Sequence, residues 1–220
     1  MTTPHPLRVL RLAASPRGAE SESLRLSEHI LDALSAQSGH RRLELSSVDL
    51  NDVPPVDGGY ARMLASPRGA GVPHPGDSLH RSDRLIDQLD RADILVIATP
   101  MHNYSVPSSL KAWIDHVVRI QRTFESTPQG KRGLLRDRPV YVAVSSGGYI
   151  SGPRARQPDF LRPYLQAALA TVGLNSLHCF TLEGTALGDD ALTEARRRAF
   201  AMVAEYFGRS PSEARLPMPG

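Results

Sequence analysis

The sequence of 220 residues contains one cysteine and two lysines, and both scarcities limit what the protein does. Cys179, as the sole cysteine, excludes disulfides within the chain and metal sites built from several cysteines. With so few lysines, the formal net charge of +3 rests on arginines scattered along the chain. The densest group, Arg196 to Arg198, falls in a helical pattern and is interpreted as a solvated helix face. We therefore expect no nucleic-acid partner.

Long apolar runs and two nucleotide-binding fingerprints are also missing. No apolar stretch approaches the ~20 residues of a membrane-spanning helix, and residues 1–6 lack the pattern of a signal peptide. We therefore expect a cytoplasmic protein without a membrane partner. The turn from Ala14 to Ser23 contains neither G-x-G-x-x-G nor G-x-x-x-x-G-K-[ST], so neither a Rossmann-type dinucleotide nor a nucleoside triphosphate is expected there. No metal site is predicted.

Five apolar segments of strand length alternate with segments of helical periodicity. The predicted strands are Leu7–Ala13, Leu43–Leu50, Asp93–Ala98, Pro139–Val144 and Leu177–Leu182. Parallel strands joined by helices require right-handed crossovers, so we expect an α/β fold with a doubly wound five-stranded parallel sheet. The length favours one domain over residues 1–210, followed by a proline-containing C-terminal tail at 211–220.

The connections carry predictions of their own. Thr99-Pro100 is expected to end the third strand because proline has no N–H to donate, and Ser108-Ser109 to cap the next helix. Residues 55–77 are rich in Gly and Pro and are interpreted as an insertion or lid, or simply as flexible surface. Residues 127–138 are predicted to be a polar connection.

Distinctive loops follow three of the strands. Hydroxyls and free N–H groups before the first helix suit a phosphate, although N-capping by Ser21 or Ser23 would explain the same pattern. The exposed loop around Tyr104 suits a flat ligand. Gly147 and Gly148 let backbone N–H groups approach a ring, or form a tight turn. Because all three loops follow strands, they share the carboxyl edge of the sheet, where one ligand can contact all of them.

The run Pro100-Met101-His102-Asn103-Tyr104, followed by Leu110-Lys111 and Asp115, resembles the flavin-binding segment of the FMN-dependent NADH azoreductases. These enzymes belong to the flavodoxin-like quinone reductases, and the resemblance extends in element order from about Leu7 to Phe207. It implies a flavodoxin-like fold with the strand order 2-1-3-4-5, FMN as cofactor, NADH or NADPH as donor, and a quinone or azo compound as acceptor. It also implies a homodimer and a ping-pong reaction, in which donor and acceptor use one site in turn.

The resemblance also assigns residues to the FMN site. Ser15 matches the first serine of the family's phosphate loop, and Ser21 and Ser23 match its later hydroxyls. Glu22 departs from the neutral residue expected there, and because a carboxylate repels phosphate, only its N–H is expected to bind. The expected FMN-binding residues are Ser15, Arg17, Ser21, Glu22, Ser23, Pro100, Met101, His102, Asn103, Tyr104, Ser145, Ser146, Gly147 and Gly148. No side chain is expected to be a nucleophile or an obligatory base.

The acceptor is expected to contact His102 and Phe124. His102 stands where the family commonly has an aromatic residue, and it either donates a proton to the acceptor or simply contacts the ring. Ser126 and Thr171 stand where the family's aromatic walls are expected. We therefore expect a wider, more polar pocket and favour quinones over azo dyes.

Two other functional classes stay open. The fold alone permits a flavodoxin-type FMN electron carrier, although a strongly acidic surface is missing. A serine hydrolase would use Ser145, His102 and Asp115, although the sequence has no G-x-S-x-G elbow. Trp113 and Val117 either form the dimer interface or are buried in the core of the monomer.

Overall fold

The computed structural model describes residues 5–39, 41–65 and 77–208. The strands are β1 Leu7–Ala13, β2 Leu43–Asp49, β3 Ile94–Pro100, β4 Phe124–Thr127, β5 Gly130–Gly133, β6 Val140–Ser146 and β7 Leu177–Glu183. The helices are α1 Glu22–Gln37, α2 Gly58–Ala65, α3 Asp77–Arg91, α4 Ser108–Val117, α5 Leu161–Val172 and α6 Asp189–Gly208. Each of the five predicted strands is therefore present, with ends that differ by a few residues.

Five strands form one parallel sheet in the order β2-β1-β3-β6-β7. Since β6 and β7 are the fourth and fifth predicted strands, this is the predicted order 2-1-3-4-5. The central strands β3 and β6 are buried along almost their whole length, as expected of parallel strands covered on both faces.

Helices cover the two faces of the sheet and create two apolar cores. Helices α3, α4 and α5 pack with Leu95 and Ile97 of β3 on one face, whereas α1 and α6 pack with Ile94 and Val96 on the other. The alternation along β3 follows from the two-residue period of a strand. Strand order and layering together place the carboxyl ends of β1, β3 and β6 side by side.

Trp113 and Val117 lie in the first of these cores, and both side chains are 0% exposed. Their assignment to a dimer interface is therefore wrong, because a side chain enclosed by its own chain cannot contact a second copy. The alternative that the sequence left open, burial in the monomer, is confirmed.

Of two local predictions around β3 and α4, the first is confirmed and the second is wrong. The strand ends at Pro100, which pairs with Ser145 and lies two residues beyond the predicted last residue Ala98. The N-cap residue of α4 is Pro107, which has no capping side chain. The hydroxyl of Ser109 instead donates to the carbonyl oxygen of Ala14 at 3.0 Å, which attaches α4 to the end of β1.

Residues 127–138 are more than a polar connection, since they contain β5, which pairs antiparallel with β4. This hairpin lies against the end of α5, where Gly133 and Gly173 approach so closely that a Cβ on Gly133 would stand 2.2 Å from the nitrogen of Gly173. The sequence does not predict this hairpin, because β4 and β5 are only four residues long and show little apolar alternation.

The predicted insertion at 55–77 contains α2 near its start. Its Tyr60 is buried, with its hydroxyl donating to the carbonyl oxygen of Asp115 at 3.3 Å. Residues 66–76 and the predicted tail at 211–220 lie outside the described residues, so the lid, the tail and the single domain stay predictions. Within the described ranges, no helix combines the length and apolar character needed to cross a membrane.

Candidate functional site

Hydrogen bonds connect the three predicted ligand loops at the carboxyl edge of the sheet. The N–H of Ala14, after β1, donates to the carbonyl oxygen of Ala98 in β3 at 2.9 Å. The N–H of Met101, after β3, donates to the carbonyl oxygen of Ser145 in β6 at 2.8 Å. The fold thus brings together loops that lie far apart in sequence, and a ligand across this edge would meet all three.

The first loop ends in an N-cap that leaves donors free. The hydroxyl oxygen of Ser21 accepts from the N–H of Leu24 at 3.2 Å and lies 3.0 Å from the hydroxyl of the buried Ser23. Among the described residues, the N–H groups of Glu22 and Ser23 have no acceptor. Capping by Ser21 and anion binding are therefore compatible, because the cap uses the Leu24 N–H and leaves the earlier ones available.

Ser15 and Arg17 occupy the start of this loop. The buried hydroxyl of Ser15 accepts from the N–H of Arg17 at 3.3 Å, and the amide of Asn51 donates to the Ser15 carbonyl oxygen at 3.0 Å. The side chain of Arg17 is exposed and lies 3.8 Å from the carboxylate of Glu20. The loop is therefore anchored at Ser15, while Arg17 carries its charge at the surface.

The carboxylate of Glu22 forms a bidentate ion pair with Arg196 of α6. Arg196 donates from Nε at 2.9 Å and from Nη2 at 2.6 Å, and these hydrogen bonds are the main reason that the pKa of Glu22 is lowered. The interpretation of Arg196 as part of a solvated face is therefore wrong, since its guanidinium pairs with a buried partner. The interpretation holds for Arg197 and Arg198, which pair with Glu194 on the exposed side of α6.

The second loop turns within two residues. His102 and Ser105 exchange backbone hydrogen bonds at 2.9 and 3.0 Å, while Asn103 and Tyr104 have φ values of +48° and +71°. Asn tolerates this left-handed conformation, but a bulky Tyr is strained by it. The side chain of Tyr104 is 47% exposed and that of His102 is also exposed. The turn thus presents both rings to solvent at the sheet edge.

The third loop begins inside β6, where Ser145 and Ser146 are buried as the last residues of the strand. Carbonyl oxygens of Ser146 and Gly147 accept from the N–H groups of Thr185 and Ala186 at 3.1 and 3.2 Å. The N–H groups of Gly147 and Gly148 have no acceptor within the described ranges. Neither glycine has a positive φ, and a Cβ on Gly147 or Gly148 would stand 3.4 Å from the side chain of Ala186 or Gln157. Their role toward a ligand stays a prediction.

Four supporting residues were not predicted. Asn51 and Ser109 hold the first loop, Gln157 donates to the Ser146 hydroxyl at 2.9 Å, and the Glu183 carboxylate accepts from the Ile150 N–H at 3.0 Å. Their partners lie 11 to 95 positions away in sequence, so no local pattern could reveal them.

The residues expected around the acceptor are spread more widely than the three loops at the sheet edge. Phe124 is buried in β4, with the ammonium nitrogen of Lys131 5.2 Å from its ring centroid, and Ser126 is exposed on the same strand. Thr171 lines a cleft of about 490 Å³ between α2, α4 and α5, together with Leu64 and Tyr164. None of the residues lining this cleft belongs to the three loops. The role of these positions toward an acceptor stays a prediction.

A hydrolytic triad is not assembled. Asp115 pairs with Lys111, Ser145 is engaged in the sheet, and no hydrogen bond between Ser145, His102 and Asp115 is found among the residues that the structure describes. The same residues contain no group of three or more His, Cys, Asp or Glu side chains suited to a metal ion.

Comparison with known proteins identifies the class to which this fold and loop arrangement belong. A family model described as a flavodoxin-like fold matches residues 7–207. The FMN-dependent NADH:quinone oxidoreductase 4 of Pseudomonas fluorescens is 46% identical over 192 residues, covering 86% of this chain and 91% of the relative. The chain therefore belongs to the flavodoxin-like family and, within it, to the group that contains this FMN-dependent NADH:quinone oxidoreductase.

Further relatives agree. The FMN-dependent NADH:quinone oxidoreductase 5 of Burkholderia lata is 41% identical over 206 residues, covering 94% of this chain and 98% of the relative. Among solved structures, an azoreductase from Bacillus anthracis strain Sterne has a TM-score of 0.78 at 22% identity, covering 91% of this chain and 98% of that one. At this low identity the structural likeness confirms the flavodoxin-like fold alone.

Proposed function

We propose that this protein is an FMN-dependent enzyme that transfers two electrons from NADH or NADPH to a quinone or a similar flat acceptor, such as an azo compound. The observation that carries the proposal is the set of hydrogen bonds joining the three loops at one sheet edge. The similarity to relatives named FMN-dependent NADH:quinone oxidoreductases supports it. Bound FMN supplies the hydride chemistry, whereas the protein supplies placement and electrostatics.

The residues present fit FMN rather than FAD. Buried hydroxyls of Ser15, Ser21 and Ser23 and the free N–H groups in the first turn of α1 suit a terminal phosphate, and no dinucleotide fingerprint exists to hold an adenosine half. The segment from Pro100 to Tyr104 would contact the flavin ring, and the N–H groups at Gly147-Gly148 its pyrimidine end. Extraction and chromatography should yield FMN, and stoichiometric FAD would contradict the assignment.

The first prediction concerns the phosphate. Replacing Ser21 and Ser23 together by Ala should weaken FMN binding by roughly 1–3 kcal/mol, because charge-assisted hydrogen bonds are lost. Fluorescence titration of the apoprotein with FMN measures the change. Ser27→Ala is a matched control, since the Ser27 hydroxyl is buried in the same helix but donates to the carbonyl oxygen of Leu24. An unchanged affinity in the double variant would move the phosphate elsewhere.

The reaction should be ping-pong, with nicotinamide and acceptor binding in turn at the same face, because hydride transfer needs each in near van der Waals contact. No side chain acts as a nucleophile. His102 is exposed in the second loop, where its imidazole either donates a proton to the acceptor or contacts the ring of the acceptor. Steady-state kinetics with NADH and a benzoquinone should give parallel double-reciprocal lines. Intersecting lines would require a ternary complex and rule the mechanism out.

A flavodoxin-type electron carrier is the less favoured function, because the curated relatives compared above are named as oxidoreductases. An anaerobic titration distinguishes the two. A long-lived one-electron state would favour a carrier, whereas direct two-electron reduction favours the enzyme.

We also propose that the protein forms a homodimer, as the resemblance to the azoreductases implies. Since Trp113 and Val117 are enclosed in the core, the exposed apolar side chains Leu64, Leu134 and Phe160 are the better interface candidates. Light scattering at micromolar concentration should report twice the mass of 24.0 kDa. A monomer at that concentration would contradict the proposal.

A further inference from the structure

One residue of the proposed phosphate loop forms an ion pair with helix α6. Glu22 is the first residue of α1 and stands between Ser21 and Ser23, yet its carboxylate is 8% exposed and held by both guanidinium nitrogens that Arg196 directs at it. Arg25 of α1 is a weaker neighbour, with its Nε 3.8 Å from the same carboxylate. A residue of α6 therefore controls a negative charge at the N-terminus of α1.

The position of this charge matters for an anion. A helix N-terminus attracts phosphate through its free N–H groups and its dipole, and a carboxylate in the first turn competes for the same positive potential. Without Arg196, the Glu22 carboxylate would keep only the more distant charge of Arg25, would be free to turn toward these N–H groups and would repel a phosphate bound there. Pairing with Arg196 removes both effects, because the carboxylate is neutralised and directed toward α6.

We propose that Arg196 is a positioning residue for the FMN phosphate, acting through Glu22. Arg196 holds the Glu22 carboxylate away from the loop, so that the Glu22 and Ser23 N–H groups stay open to the ligand. This inference rests on the proposed function, because it takes the serine loop as the phosphate site. It adds a long-range partner, 174 positions away in sequence, that the loop itself does not contain.

A purely structural role for the pair predicts different results. If the pair only fastened α1 to α6, removing either partner would loosen the whole site, and removing both would be no better than removing one. Under the proposal, the harm of losing Arg196 comes from the unpaired carboxylate, so neutralising Glu22 should cancel it. Riboflavin has no phosphate, so its affinity should not change when Arg196 or Glu22 is replaced.

The experiment is a double-variant cycle on the full-length apoprotein, read out as FMN and riboflavin affinity by fluorescence titration. Arg196→Met should weaken FMN binding on the order of tenfold, the change expected from one interaction of ordinary size. Glu22→Gln should bind FMN at least as tightly as the wild type, and Glu22→Gln with Arg196→Met should return to near the wild-type affinity. Riboflavin affinity should be unchanged throughout. Arg197→Met is the matched control, since Arg197 pairs with Glu194 on the exposed side of α6.

Three outcomes would overturn the inference: unchanged FMN affinity in Arg196→Met, no recovery in the double variant, or an equal loss for riboflavin. If Arg196→Met does not fold, Glu22→Gln decides alone. A purely structural pair predicts that Glu22→Gln binds FMN more weakly than the wild type, whereas the proposal predicts no weakening.

Ser23→Ala separates this inference from the proposed function. If Ser23→Ala weakens FMN binding while Arg196→Met does not, only the role of Arg196 is wrong. If Ser23→Ala has no effect, the phosphate site itself is wrong.

Discussion

At the scale of single residues, Tyr104 shows a conflict between local stability and the proposed function. With Asn103 it forms a two-residue turn in which both residues have positive φ, a geometry for which Asn-Gly is the favoured pair. A tyrosine at φ +71° is strained, and its exposed ring beside the other two loops suits contact with the flat ligand of the proposed function.

Tyr104→Gly should therefore stabilise the protein and impair the site. We expect a gain of roughly 0.5–1 kcal/mol in the free energy of unfolding, because glycine adopts positive φ without the steric penalty. Urea denaturation of the apoprotein measures the gain, and FMN titration should show weaker binding. Tyr104→Phe keeps ring and strain, so both quantities should stay near wild type. A glycine variant less stable than the wild type would contradict this explanation.

His116 is a second residue whose environment has a measurable consequence. It is fully buried, its Nε2–H donates to the carbonyl oxygen of Pro54 at 3.0 Å, and its Nδ1 has no partner among the described residues. Burial lowers the pKa of this imidazole below its ordinary value of 6.5. The neutral ring therefore joins α4 to the start of the predicted insertion.

The sign of the resulting pH dependence follows from the lowered pKa. The unfolded state binds a proton more readily than the folded state, so the contribution of His116 to stability is complete above pH 6.5 and is lost as the pH falls below it. Urea midpoints should therefore decrease from pH 7.5 to 5.5, and His116→Gln should reduce this slope. Burial also lowers the pKa of His178, which is present in both proteins, so the difference in slope isolates His116. Equal slopes would rule out the explanation.

At the scale of secondary structure elements, the β4–β5 hairpin depends on one close contact. Gly133 in β5 lies against the backbone at the end of α5, where Gly173 has a φ of +104° and is the C-cap. The N–H of Leu135 donates to the carbonyl oxygen of Val172 at 3.0 Å and continues this contact. Neither element can move away easily, because the contact is between two backbones rather than between flexible side chains.

Gly133→Ala should consequently destabilise the protein by roughly 3 kcal/mol or more, since the added methyl group would overlap backbone atoms that cannot rearrange cheaply. Thermal or urea unfolding measures the loss. Gly208→Ala, at the end of α6, is the matched control because its Cβ would meet no atom within 4 Å. A loss below about 1 kcal/mol would show that the hairpin and α5 separate more readily than their contact implies.

At the scale of the whole molecule, the topology of the sheet creates the candidate site. The order β2-β1-β3-β6-β7 makes β1, β3 and β6 neighbours, so the loops that follow them meet at one edge although they are separated by about 80 and 40 positions in the chain. Helix α6 adds Arg196, which pairs with Glu22 of α1 on the same face of the sheet. The candidate site is therefore a property of the assembled sheet, and no single loop provides it.

The sequence by itself determined the features that depend on local periodicity and turn chemistry. β1 has the predicted bounds Leu7–Ala13, and the presence of the five sheet strands and the positions of the three loops follow from the alternation of apolar strands and amphipathic helices. The exposed Tyr104 also agrees with its predicted loop. These features are local because hydrogen-bonding and steric preferences act over a few neighbouring residues.

Only the tertiary structure decided the features that depend on which distant residues meet. The burial of Trp113, the pairing of Pro100 with Ser145 and the contact between Gly133 and Gly173 each require a partner from another element. The pairing of Glu22 with Arg196 is the clearest case, because a carboxylate in the proposed phosphate loop predicts repulsion until its partner is known. Charge and burial are set by the three-dimensional surroundings of a side chain, and these surroundings form only when the sheet and its helices are packed together.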